Sequence, residues 1–225
     1  MKRFLLCVSC IMFCAIVPAT AQNQVDIGLI GGLNISDAII EYDAGDHPKA
    51  SSVNEYGIGI QAELQIHKNV AFGTNILYLR KGVIAETSDP LTFDIWAGYI
   101  EVPLYVKYSF GTTIRPYFMA GPSLGLLLNS EVDVPFGGLN FNGDFKPVLR
   151  NSELSVLFAV GVTVPVWMGQ AFIQGRYLYG LQDMIKGGTV LLKAGETLRE
   201  EATIDSGDNL YTRCYLIFAG FSVQL

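Results

Sequence analysis

Charged side chains recur in this sequence inside runs that are otherwise apolar at every second position. Glu63, Glu101, Lys107, Glu153 and Arg176, with Arg115 beside a turn, all fall on the polar parity of such runs. Carboxylates and cations shut away from the surrounding medium must neutralise one another, or else form a path for a proton or a small ligand. The expectation is a paired polar core. Glu101 and Arg176 are expected at similar depth, counting from their short turns, and are the pair to mutate first. Nucleophilic chemistry has little to draw on. There are two histidines; His67 abuts a turn, and His47 stands in a polar loop near Ser51 and Ser52. A nucleophile needs its base within hydrogen-bond reach, so His47 with Ser51 or Ser52 is the best candidate for lipid hydrolysis, and Asp43 and Asp46 with His47 for peptide hydrolysis. No metal-ligand spacing occurs, and the glycine-rich segments do not join a strand to a helix, as phosphate binding requires. The chain is therefore expected to be no enzyme and to carry neither metal nor cofactor.

The elements that position these charges are strands. From Glu55 to His67, Tyr56, Ile58, Ile60, Ala62, Leu64 and Ile66 take one parity, and the polar and small residues take the other. Period two means a β-strand with two unlike faces. The same alternation marks 25–36, 70–80, 96–108, 115–129, 152–166, 170–181 and 211–225, eight strands in all. Lys68-Asn69, Gly111-Thr112-Thr113 and Met168-Gly169 are short turns, and the intervening connections are long. Short and long connections alternate throughout, as in an outer-membrane barrel with short periplasmic turns and long extracellular loops. Two long connections hold weaker patterns: Val132, Val134, Leu139 and Phe141 around Gly137-Gly138, and 189–192 with 197–201 around Ala194-Gly195. Each predicts a hairpin standing above the membrane, and a count of ten membrane strands is the alternative.

Composition agrees. Half of the 225 residues are hydrophobic, yet no stretch after residue 22 reads as a spanning helix, which leaves a closed barrel as the way to cross lipid. Lys2 and Arg3, the apolar run from Phe4 to Val17, and Ala19-Thr20-Ala21 predict a signal peptide over 1–21, with the barrel domain over 22–225. Cleavage would take the formal charge from −6 to −8 by removing two cations, and would leave Cys214 as the remaining cysteine of four. The acidic balance argues against a nucleic-acid partner. The expected partners are outer-membrane lipids, an unknown surface ligand or protein met by the loops, and the barrel-assembly machinery, which would read the closing strand.

Aromatics suggest two interface belts: Tyr56, Tyr78, Trp96, Tyr179 and Tyr211 at the long-loop ends, and Phe72, Tyr108, Phe110 and Trp167 at the short-turn ends. Pro103 and Pro122 are the difficulty. A proline removes a ladder hydrogen bond, so bulges or broken pairing are predicted at both.

The stretch Tyr99-Ile-Glu-Val-Pro-Leu-Tyr-Val-Lys-Tyr108, followed by Arg115-Pro-Tyr-Phe-Met-Ala-Gly-Pro-Ser-Leu124, resembles the PorT-type outer-membrane β-barrel family of Bacteroidetes. Glu101, Val102, Pro103, Leu104, Lys107 and Tyr108 carry the first half of the likeness, and Arg115, Pro116, Tyr117, Ala120, Gly121 and Pro122 the second. Gly28, Gly31, Gly32 and Asn34 are similar to the family's first strand. The resemblance implies an all-β, eight-stranded, antiparallel transmembrane barrel of up-and-down order, and that both prolines belong to the fold. On function it implies little. The expected role is structural or surface-interacting, with a barrel enzyme acting on lipid or peptide, a narrow channel, or a secretion-machinery component as the alternatives.

Overall fold

The computed structural model describes residues 24–41, 49–86, 92–136, 139–194, 198–204 and 209–225. The predicted signal peptide and the loop tip holding Asp43, Asp46 and His47 lie outside them. Eleven strands follow in order: β1 (Gln24–Glu41), β2 (Lys49–His67), β3 (Val70–Glu86), β4 (Thr92–Ser109), β5 (Arg115–Phe136), β6 (Leu139–Asp144), β7 (Ser152–Val166), β8 (Gly169–Gly180), β9 (Gly188–Ala194), β10 (Leu198–Ile204) and β11 (Asn209–Gln224). Eight of them, β1 to β5 with β7, β8 and β11, pair antiparallel with their neighbours, and β1 pairs with β11 to close the cylinder. The closing register runs from Asp26↔Gln224 to Glu41↔Asn209.

The period-two pattern sets which side chains meet the outside. Leu29, Leu33, Ile58, Leu104 and Val160 are each 60% or more exposed, far more contiguous apolar surface than a water-facing monomer carries. It forms a lipid-facing band. The opposite parity fills the lumen, which in an eight-stranded barrel is just wide enough for side chains. Aromatic rings take up much of that space. A Cβ at Gly57, Gly73, Gly161 or Gly220 would land on the ring of Phe218, Tyr105, Tyr117 or Phe172, respectively. These inward glycines are the seats of the rings. Leu77, Leu79, Met119, Leu157 and Leu216 complete the packing.

The strands run past the predicted ends on the long-connection side. β5 continues to Phe136 and turns into β6, and β9 and β10 form a second hairpin that joins β6 through Asn142↔Lys193 and Gly143↔Leu192. Both predicted hairpins are present, and neither adds a barrel strand. A second apolar core sits at this end, built from Tyr99, Val132, Val134, Phe145, Val148, Met184 and Val190, with Leu210 against it. The short 3-10 helix Lys146–Val148 is part of this roof. The turn between β7 and β8 falls at Trp167-Met168, one residue earlier than the pattern suggested, with Trp167 in the left-handed region at φ 50°.

The prolines interrupt the ladders without shifting register. Between β3 and β4 the pairing steps from Thr74↔Leu104 to Leu77↔Glu101, and between β4 and β5 from Pro103↔Ser123 to Val106↔Ala120. Pairing is locally broken as expected, but the bulge on β5 lies elsewhere, where Gly98↔Asn129 gives way to Tyr99↔Leu127.

Candidate functional site in the barrel lumen

Two groups of charges occupy the lumen. The first, toward the roof, centres on Lys81, on the inward parity of β3 with Leu77 and Leu79. Its ammonium lies 2.7 Å from Glu153 Oε2 and 3.3 Å from Glu101 Oε2, and 4.6 Å from the centre of the Tyr99 ring. Ser123 and Ser155 donate their hydroxyls to Glu101 Oε1 at 2.5 and 3.2 Å, and Thr212 donates to Glu153 Oε1. All three charged residues are buried. The ladder explains why the two carboxylates share one cation: Glu101 pairs with Gly125, and Gly125 pairs with Glu153. Gly125 has no side chain to separate them. Above this group lies a small cavity of about 50 Å³, walled by Val83, Ile95, Phe145 and Leu210 and closed below by Lys81.

The second group lies toward the short turns. Glu63 Oε2 is 2.8 Å from the Lys107 ammonium, and Tyr105 donates its hydroxyl to Glu63 Oε1 at 3.0 Å. Lys107 also stands 4.3 Å over the Tyr117 ring. Gln174, with its amide oxygen toward Arg176, accepts from that guanidinium at 2.9 and 3.2 Å and donates to the Tyr117 hydroxyl at 3.0 Å. Arg176 stacks 5.4 Å from the Phe218 ring centre. Arg115 lies at the rim and donates to the Lys68 carbonyl at 3.2 Å.

All five predicted lumen residues therefore point inward, but Glu101 and Arg176, expected at similar depth, belong to different groups. The ladder from Arg176 leads through Ala159 and Met119 to Lys107, six residues along β4 from Glu101. Strands of a barrel are tilted and staggered, so an equal count from the turns is not an equal depth. Sequence reasoning also missed Lys81, which falls one residue past the predicted strand 70–80, whereas β3 continues to Glu86. Its parity with Leu77 and Leu79 was the available signal. Arg80 takes the outer parity, where it pairs with Glu55 at 3.2 Å and lies 4.3 Å over the Trp96 ring.

The arrangement holds charge among packed side chains, and the small cavity on Lys81 leaves little space for a substrate. Of the residues considered for catalysis, His67 is exposed beside its turn and Ser51 and Ser52 are paired in β2. Among the described residues there is no group of three or more His, Cys, Asp or Glu placed to hold a metal. Among the predicted belt residues, Tyr56 and Tyr78 are in ring contact at 6.1 Å toward the loops and Tyr108 and Phe110 at 4.8 Å toward the turns; Tyr177 and Tyr215 add a contact at 4.9 Å.

Residues 20–186 match the family described as outer membrane protein beta-barrel domain. The chain belongs to that family. No curated protein matches it significantly. Among solved structures it is similar to a major outer membrane protein from Thermus thermophilus, at 8% identity and TM-score 0.55, covering 91% of this chain and 100% of that one. OprG from Pseudomonas aeruginosa aligns at 11% identity and TM-score 0.47, over 88% of this chain and 95% of that one. Neisserial surface protein A aligns at 15% identity and TM-score 0.42, over 88% and 97%. At these identities the likeness is one of fold. Family and fold together locate this barrel in the outer membrane.

Proposed function

We propose that this protein is a closed outer-membrane barrel of the PorT type, exported by a cleaved signal peptide, whose role is structural or surface-interacting and not enzymatic. The observation that carries the reading is where the protein places its polar groups. Lys81 is bound by Glu101 and Glu153, Lys107 by Glu63 and Arg176 by Gln174, and an apolar core stands over them, which favours a structural role over a solute path or a lumen catalytic site. Polar groups that do reach solvent are gathered on the sheet beyond the rim. Asp94, Asp133 and Asn142 stand in one cross-strand row of β4, β5 and β6. A groove of about 750 Å³ opens beside them, lined by Leu128, Glu131, Lys146, Leu191 and Lys193. A mixed apolar and charged groove on a rigid sheet suits a protein or glycan partner.

Replacing residues 188–204 with a short Gly-Ser linker tests this. The variant should keep the heat-modifiable gel migration of a folded barrel and lose binding to cells or extracellular matrix that the parent shows. Steady single-channel conductance by the parent in planar bilayers would replace the reading with that of a channel. Lipid or peptide turnover that disappears in His47→Ala would replace it with that of an enzyme.

A further inference from the structure

The groove on the outer face of the β5–β6–β9 sheet holds charges that the protein does not neutralise. Glu131 and Asp144 stand directly opposite each other on β5 and β6, a like-charge pairing that works against the sheet. Lys146 and Lys193 line the same groove. Among the described residues, none of the four makes an ion pair. The Lys146 ammonium donates to the Leu128 carbonyl at 2.7 Å, and Asp144 Oδ1 accepts the Lys146 backbone N–H at 2.9 Å. Two carboxylates and two ammoniums thus share one groove, each sign short of its counter-charge. The wall beneath fixes the height of the groove. Leu124, Leu126 and Leu128 form one outward row on β5, 45, 44 and 46% exposed. Leu128, the last of them, is also a wall of the groove. Beyond it the same face of β5 carries Glu131 and Asp133. The groove therefore begins where the lipid-facing band ends, at the level of the outer-leaflet headgroups.

We propose that this groove seats the headgroup of an outer-leaflet lipid carrying both a phosphate and a primary ammonium, a phosphoethanolamine group. The proposal deepens the reading of the groove as an interaction surface, on which it rests, by naming as its occupant a lipid of the membrane in which the barrel stands. The ammonium lies between Glu131 and Asp144 and turns their repulsion into two charge-assisted hydrogen bonds. Lys146, from the 3-10 helix, and Lys193, from β9, take the phosphate. Leu128 and Leu191 meet the glycerol and the first chain carbons. The chemistry is selective in both directions. A headgroup with a phosphate and no ammonium leaves the two carboxylates opposed. A quaternary ammonium brings the charge but has no N–H to donate to them.

The test uses the refolded barrel in non-ionic micelles with equal amounts of dimyristoyl phosphatidylethanolamine, phosphatidylglycerol and phosphatidylcholine. Native mass spectrometry should show the ethanolamine lipid retained about tenfold over the other two, a difference of about 1.4 kcal/mol. Glu131→Gln with Asp144→Asn should remove the preference over phosphatidylglycerol, and Lys146→Gln with Lys193→Gln should remove retention of both. All four side chains reach solvent, and the parent alone supplies a second readout. Glycerophosphoethanolamine, the headgroup without chains, should shift the amide signals of Gly143 and Leu191 and leave that of Gly59 in the barrel wall unmoved. Equal retention of the three lipids by the parent would overturn the proposal. Equal shifts with glycerophosphate would overturn it too, and would assign the groove to a phosphate alone. Loss of cell binding in the 188–204 linker variant, with no lipid preference in the parent, would leave the groove to a protein or surface glycan: the interaction reading would then stand and this proposal fall.

Discussion

Lys81→Met should destabilise the folded barrel by about 3–5 kcal/mol, the usual cost of stranding a buried charge by removing its partner. Here two carboxylates would be stranded together. Glu153 would lose its 2.7 Å contact and Glu101 its 3.3 Å contact, with the hydroxyls of Ser123, Ser155 and Thr212 as the donors left to them. Equilibrium unfolding in urea from lipid vesicles would read the loss as a lower midpoint at unchanged slope. The triple variant Lys81→Met, Glu101→Gln, Glu153→Gln should recover most of it, since replacing a whole buried ion cluster by neutral groups of similar volume is often close to neutral. A Lys81→Met barrel as stable as the parent would mean that the cluster contributes nothing to holding the strands together.

Truncation after Gly220 should abolish assembly into the membrane. Residues 221–225 supply the closing pairs Leu29↔Phe221, Gly28↔Ser222, Ile27↔Val223 and Asp26↔Gln224, and the Phe221↔Ala171 and Ser222↔Gln170 pairs on the other side. The Leu225 amide also donates to the Val25 carbonyl at 2.9 Å. Without them, β1 and β8 each present open backbone to hydrocarbon, where every unsatisfied group costs several kcal/mol. Membrane fractionation and heat-modifiable migration would show the truncated chain as unfolded and extractable. The linker variant lacking 188–204 is the matched control: it loses more residues but no barrel pair. A truncated chain that still inserts would show that the barrel closes without this end of β11.

The lipid-facing residues, the strand count and the lumen parity were legible because period two is a local property of an extended chain. Ile58 and Glu63 go to opposite sides of β2 whatever β2 pairs with. The short turns were legible for the same reason, to within a residue at Trp167. The loop-side extensions were harder to place. Beyond the rim neither face meets lipid, so the alternation weakens, and the bulge near Leu128 changes the parity of β5 on the way to Glu131 and Asp133. Lys81 keeps the inward parity of Leu77 and Leu79 but lies one residue past the predicted strand end at Arg80, and was lost with that boundary.

The amino-acid sequence by itself determined that this protein is a barrel, which side chains look inward, and that the inward charges must find partners, because these follow from alternation and from the cost of charge in a low dielectric. The tertiary structure alone decided which partners they find. Strand stagger set Glu101 beside Glu153 across Gly125 and carried Arg176 to the ladder row of Lys107.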